Sequence, residues 1–230
     1  MFLKINTTSC LKSSLHRCPV MGYSDAAEIP GLGTAQIAQI MKKLMERLGH
    51  KKFYVQGGDW GSIIGTDIAT LYPNSVIGFH NNMCPLPNTL TSFIKLIIGS
   101  FWPSLYIEEK SFQHRLYPLS NMFSYLMEES GYLHLQATKP DTVGVALSNS
   151  PVGLAAYILE KFSTWENYNY RNLPDGGFDI KEKHYTLDDL LDNVMIYWTT
   201  NSITTSMRLY SESLNKLRRS MSIDSTPTKV

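Results

Sequence analysis

The short run Lys52-Phe53-Tyr54-Val55-Gln56 reads as a strand, and a helical pattern begins at Ser62. Between them lies Gly57-Gly58-Asp59-Trp60-Gly61. A strand that turns into a helix within so few residues brings the two backbones close together. Small residues must then flank the turn, and the residue at its apex is pushed into strained backbone geometry. Gly57, Asp59 and Gly61 fit the pattern small-x-nucleophile-x-small, and Gly58 adds tolerance. The start of the following helix favours an anionic carboxylate, and the Trp60 backbone N–H is an oxyanion-donor candidate. A carboxylate at this apex, in place of a hydroxyl, attacks alkyl carbon and forms an ester. Epoxides and alkyl halides are the matching electrophiles. A glycine-rich turn in which Asp59 simply N-caps the next helix fits the pentapeptide as well. The glycines do not fall as G-x-G-x-x-G, and no Lys-Ser/Thr follows, so dinucleotide and P-loop readings fail.

The surrounding pattern is that of a parallel α/β sheet. Pro30-Gly31-Leu32-Gly33 makes a turn, and Thr34 is expected to N-cap a helix. Ile37, Ile40, Met41, Leu44, Met45 and Leu48 recur at helical spacing, with Gly49 as the C-cap. A helix over Ser62–Tyr72 and a strand over Val76–Phe79 complete a helix–strand–turn–helix–strand order. From Pro85 to about Lys183 the chain shows helical pieces and loops without strand alternation; Pro151–Phe162 reads as a helix and Asp175-Gly176-Gly177 as a turn. Thr186 can N-cap a long periodic segment running towards Leu217. The expected fold class is α/β: a sheet fragment of α/β-hydrolase type with a largely helical lid. The expected boundaries are core over 1–85 with the nucleophile turn, lid over 86–215, and the start of the next core segment over 216–230.

The 230 residues suffice for one core or a core plus a lid. A formal charge of +1 gives no electrostatic case for nucleic acid. The three Cys (Cys10, Cys18 and Cys84) lack C-x-x-C spacing, so neither a disulfide framework, a zinc site nor any other metal site is expected, and no cofactor is called for. The 13 Tyr suit a tyrosine-lined pocket, though a core with tyrosines at its edge fits equally. Met1–Asn6 is too short an apolar burst for a signal peptide. Phe93–Ile107, interrupted by Lys95, Ser100 and Pro103, cannot span a bilayer, although its apolar face could lie on a membrane or roof a greasy pocket.

Longer motifs then make the pattern specific. Gly31-Leu32-Gly33-Thr34-Ala35-Gln36-Ile37-Ala38 and Gln56-Gly57-Gly58-Asp59-Trp60-Gly61-Ser62 resemble the microsomal-type epoxide hydrolases. Glu129 to Thr142, reading ESGYLHLQATKPDT, and Ser150 to Trp165, reading SPVGLAAYILEKFSTW, are similar to that family's lid segments. The run Tyr197 to Tyr210, YWTTNSITTSMRLY, is most similar to the insect juvenile hormone epoxide hydrolases. The resemblance covers about Gly22 to Tyr210. It implies hydrolysis of a lipophilic epoxide, with juvenile hormone as the expected substrate, to a diol through an ester on Asp59. It also implies that Tyr210 is the proton donor and Tyr132 the second donor to the epoxide oxygen. An alkoxide is a poor leaving group, so the opening oxygen needs such donors. Localisation at the endoplasmic reticulum membrane is implied by the resemblance, not by any anchor in this chain. His134 is expected to be a packing residue, His80 a core-edge residue, and Glu128 and Glu129 a solvated helix face.

The resemblance also implies a His base in a Gly-Gly-His-type segment beyond the lid, with an acid partner. No His follows His184 and no such acid follows Tyr210, so the base and its acid are expected to be absent from this chain. The family's His-Gly-x-Pro loop and amino-terminal anchor are not found either, and residues before Met21 do not look like its sheet. Open edges beside the strand at Lys52–Gln56 and exposed apolar helix faces are therefore expected. Two other readings stay open. One is a catalytically incomplete or ligand-binding protein. The other is a haloalkane dehalogenase, disfavoured because halide leaving groups need no tyrosine proton.

Overall fold

The structure, a computed structural model, describes residues 2–7, 10–15, 19, 21–83, 90–178 and 185–214. A hairpin of β1 (Phe2–Thr7) and β2 (Cys10–Leu15) opens the chain. Helix α1 (Thr34–Arg47), strand β3 (Phe53–Gly57), helix α2 (Trp60–Leu71) and strand β4 (Val76–Asn81) follow. The sheet has the order β2-β1-β3-β4. Strand β4 pairs parallel to β3, as the α/β pattern requires, whereas β1 pairs antiparallel to it. The expectation of open edges beside Lys52–Gln56 is therefore corrected: β3 has a partner on each side. The hairpin carried no readable alternation, because neither Phe2–Thr7 (FLKINT) nor Cys10–Leu15 (CLKSSL) alternates strictly between apolar and polar residues.

Alternation explains β3, where Phe53 and Val55 are buried and Tyr54 and Gln56 half-buried. Ile64 and Ile68 of α2, with Ile37, Ala38, Met41 and Met45 of α1, supply the rest of this core. Each large apolar side chain so buried contributes on the order of 1.5–3 kcal/mol. The α1 start lies one residue earlier than expected. Gly33 is the N-cap, in extended backbone and without a side-chain cap, and Thr34 is the first helical residue and buried. Gly49 closes the helix at φ 85°, its N–H bonded to the Glu46 carbonyl at 2.9 Å.

Helices α3 (Leu90–Phe101), α4 (Lys110–Gln113), α5 (Leu119–Glu129), α6 (Gly131–Thr138), α7 (Pro140–Ser148), α8 (Pro151–Leu159) and α9 (Lys161–Thr164) come next. Two more, α10 (Leu187–Thr200) and α11 (Ile203–Ser213), end the described chain. Helices α8 and α9 divide the segment expected as one helix over Pro151–Phe162. The long segment after Thr186 is also two helices. Asn201 sits in left-handed backbone at φ 50°, ψ 37° and ends α10, and Ser202 begins a new turn. Leu217, the expected end of that segment, lies outside the described residues, as does the 216–230 segment.

The chain resolves into two compact units. Among the described residues, the first holds 2–7, 10–15, 31–83, 90–135 and 212–214, and the second 19, 21–30, 136–178 and 185–211. The second unit packs Leu147, Leu154, Val194, Ile203 and Met207 from α7, α8, α10 and α11 into one core. Gly144 of α7 permits that packing, since a Cβ there would meet Thr204 Oγ1 at 2.5 Å. In the first unit α3 keeps its apolar face exposed at Leu90, Phe93, Ile94, Ile97 and Phe101, as the sequence leads one to expect. Among the described residues, no helix is long and apolar enough to cross a membrane.

Candidate active site

Strand β3 ends at Gly57 and α2 begins at Trp60, so only Gly58 and Asp59 make the turn between them. Asp59 has φ 48° and ψ −126°, one of two positive φ values at non-glycine positions among the described residues. Such backbone costs a residue with a Cβ roughly 1–3 kcal/mol and persists only where the surroundings hold it. The surroundings here do. A Cβ on Gly57 would overlap the Gly61 carbonyl oxygen, so strand and helix approach as closely as glycine allows. Further along α2, a Cβ on Gly65 would lie 2.6 Å from the Phe79 ring and 3.2 Å from Val55. That contact seats the helix on β3 and β4. The Ser62 N–H donates to both the Gly58 and Asp59 carbonyls, at 3.2 and 3.0 Å. From the turn just after β4, the Asn82 N–H donates to the Gly57 carbonyl at 3.3 Å, and the buried Ser62 hydroxyl donates to the Met83 carbonyl.

Asp59 occupies the N-cap position of α2, yet its side chain makes no capping hydrogen bond. An ordinary N-cap residue has extended backbone and an oxygen turned onto the first-turn amides. Asp59 has neither feature. Its carboxylate belongs to an exposed residue at the positive end of a twelve-residue helix. Trp60, next to it, is the first residue of that helix and is nearly buried, which places its backbone N–H beside the Asp59 apex.

The other expected residues stand on separate helices. Tyr132 is half-buried on α6, in the first unit with Asp59 and Trp60. Tyr210 is half-buried on α11, in the second unit. His134, on α6, is exposed rather than packed, and His80, towards the end of β4, is exposed too. Glu128 is solvated as expected, but Glu129 is 5% exposed, so the two do not share a solvated face. Adjacent helix positions point about 100° apart, and a pair of charges in sequence is no sign that both meet water. The Asn81–Met83 turn was not singled out in the sequence. The available signal was its place just after a parallel strand, since ligand sites in α/β sheets gather at the carboxyl ends of strands.

These features are shared with known proteins. Residues 18–224 match the alpha/beta hydrolase fold family, and the chain belongs to it. Within that family the similarity is to epoxide hydrolases. Juvenile hormone epoxide hydrolase 1 of Ctenocephalides felis is 57% identical over 206 residues, covering 90% of this chain and 43% of that protein. Epoxide hydrolase 1 of Sus scrofa is 50% identical over 201 residues, covering 86% of this chain and 43% of that protein. The crystal structure of juvenile hormone epoxide hydrolase from Bombyx mori superposes with a TM-score of 0.86 at 49% identity, over 96% of this chain and 50% of that one. The chain thus spans less than half the length of the curated relatives it matches.

Proposed function

We propose that this chain carries the alkylation half of an epoxide hydrolase, with Asp59 as nucleophile. The observation that carries the reading is the Asp59 backbone, φ 48° and ψ −126°, on a carboxylate that does not cap its helix. In this reading an Asp59 carboxylate oxygen bonds to one epoxide carbon while that carbon's bond to the ring oxygen breaks. The electron pair passes to the ring oxygen, which takes a proton from the Tyr210 phenol as Tyr132 donates a hydrogen bond. A phenol O–H is the kind of donor that such a step needs. The Trp60 amide then steadies the ester carbonyl oxygen when that ester is attacked by water. Residues 1–85 serve as core, 86–215 as lid and 216–230 as the start of the next core segment.

The substrate class is a lipophilic epoxide. Juvenile hormone is the first candidate, because relatives 57% and 50% identical are juvenile hormone epoxide hydrolases by name. Association with the endoplasmic reticulum membrane goes with this reading by family likeness. The test is intact-mass spectrometry of the chain after incubation with an epoxide, followed by peptide mapping. One equivalent should add at Asp59 and none in Asp59→Asn. Adduct elsewhere, or equal labelling of the variant, would overturn the assignment.

A further inference from the structure

We propose that Asn82 is a positioning residue for Asp59, acting through Gly58; this rests on the reading of Asp59 as nucleophile. The Asn82 side-chain amide lies against the Gly58 α-carbon. A Cβ built there would come within 3.0 Å of both Cγ and Nδ2 and nearer still to Oδ1. The same residue's N–H holds the Gly57 carbonyl at 3.3 Å. The turn that carries Asn82 is itself fixed: Asn81 Oδ1 accepts the Met83 N–H at 3.1 Å, and the Ser62 hydroxyl from α2 reaches the Met83 carbonyl.

The peptide plane between Gly58 and Asp59 is therefore gripped from two directions. Asn82 stands against its Gly58 α-carbon, and the Ser62 N–H holds the Gly58 carbonyl at 3.2 Å. The Asp59 carboxylate projects from the next rotatable bond, the one with φ 48°. Fixing that plane fixes where the carboxylate points. A strained residue left without such support would relax towards ordinary negative φ and carry the carboxylate away from the line of attack. Gly58 has no positive φ of its own. Alanine there would thus be acceptable to the backbone, and the obstacle it meets is Asn82 itself.

The experiment follows the mass increase of the full chain with epoxyoctane over a range of concentrations, separating the limiting alkylation rate from the half-saturating concentration. Asn82→Ala should lower the limiting rate roughly ten- to a hundredfold and leave half-saturation within about twofold. Asn82→Ser, a smaller truncation, should fall between. Gly58→Ala should also lose rate, and the double variant should be no slower than Asn82→Ala alone, because the clash is gone. A wild-type limiting rate in Asn82→Ala or Asn82→Ser would overturn the proposal. So would independent, multiplying losses in the double variant, or a change confined to half-saturation. If the unaltered chain forms no adduct at Asp59, the nucleophile reading falls first and this proposal with it.

Discussion

At the scale of the residue, the site is a balance between strain and support at Asp59. Gly57 is the support with least latitude, because any Cβ there overlaps the Gly61 carbonyl. Gly57→Ala should destabilise the chain by about 1–3 kcal/mol, as overpacking does elsewhere, and slow alkylation of Asp59 as well. Thermal melts and adduct kinetics measure the two effects. Asp59→Gly should do the reverse for stability. Glycine accepts φ 48° without penalty, so the variant should gain about 1 kcal/mol while losing all adduct formation. A loss of stability there would mean that the Asp59 side chain supports the fold and that the turn is not strained. The glycine pattern made the apex legible in the sequence, because few arrangements need Gly57, Asp59 and Gly61 together. Asn82 was not legible. Its contact with Gly58 joins positions 24 residues apart (82 − 58), and no local rule of spacing reports such a meeting.

At the scale of the element, the readable ends were those with local chemistry. Thr186 accepts the Asp189 N–H at 3.2 Å, and Asp189 accepts the Thr186 N–H at 2.8 Å, a full capping box at the start of α10. Thr186→Ala should cost about 1 kcal/mol at neutral pH. The Thr186 hydroxyl first, and its backbone N–H second, hold the Asp189 carboxyl below its ordinary value of 3.8. A carboxyl with a lowered folded value stabilises the fold above its unfolded value, and that contribution is lost as the pH falls through the folded one. The gap in stability between the unaltered chain and Thr186→Ala should therefore narrow below about pH 4. A gap that stays constant down to pH 2 would remove Asp189 from the cap. Asn201 was harder to read. The apolar period runs through it, and the left-handed backbone that splits α10 from α11 leaves no mark stronger than a single Asn. Asn201→Gly should be tolerated, while Asn201→Ala should lose about 1 kcal/mol, since alanine has no local hydrogen bond to offer in that conformation. The β1–β2 hairpin was invisible for a different reason. FLKINT and CLKSSL lack a strict alternation of apolar and polar residues, so each strand is defined by its partner more than by its own pattern.

At the scale of the whole molecule, the question is what these 230 residues can complete. Alkylation needs a carboxylate, a donor for the opening oxygen and a geometry that lines them up. Asp59, Tyr132 and Tyr210 are the residues proposed to supply these. Hydrolysis of the resulting ester needs something else, a water activated by a base at the ester carbonyl. The six His are His16, His50, His80, His114, His134 and His184. Among the described ones, His80, His114 and His134 are exposed, and His50 lies in the turn after α1. With no histidine assigned to that water, the proposed reading predicts a burst: about one ester per Asp59, formed at the alkylation rate, then diol released far more slowly. The expected gap is on the order of the hundred- to ten-thousandfold that general base catalysis contributes. Quenched-flow measurement of adduct, alongside diol counted per mole of chain, reads both phases in one experiment. Diol accumulating linearly from the start, over many equivalents, would show that a group within these residues already serves as the base. His50, His80, His114 and His134 would then be the first to replace, since all four lie in the same unit as Asp59.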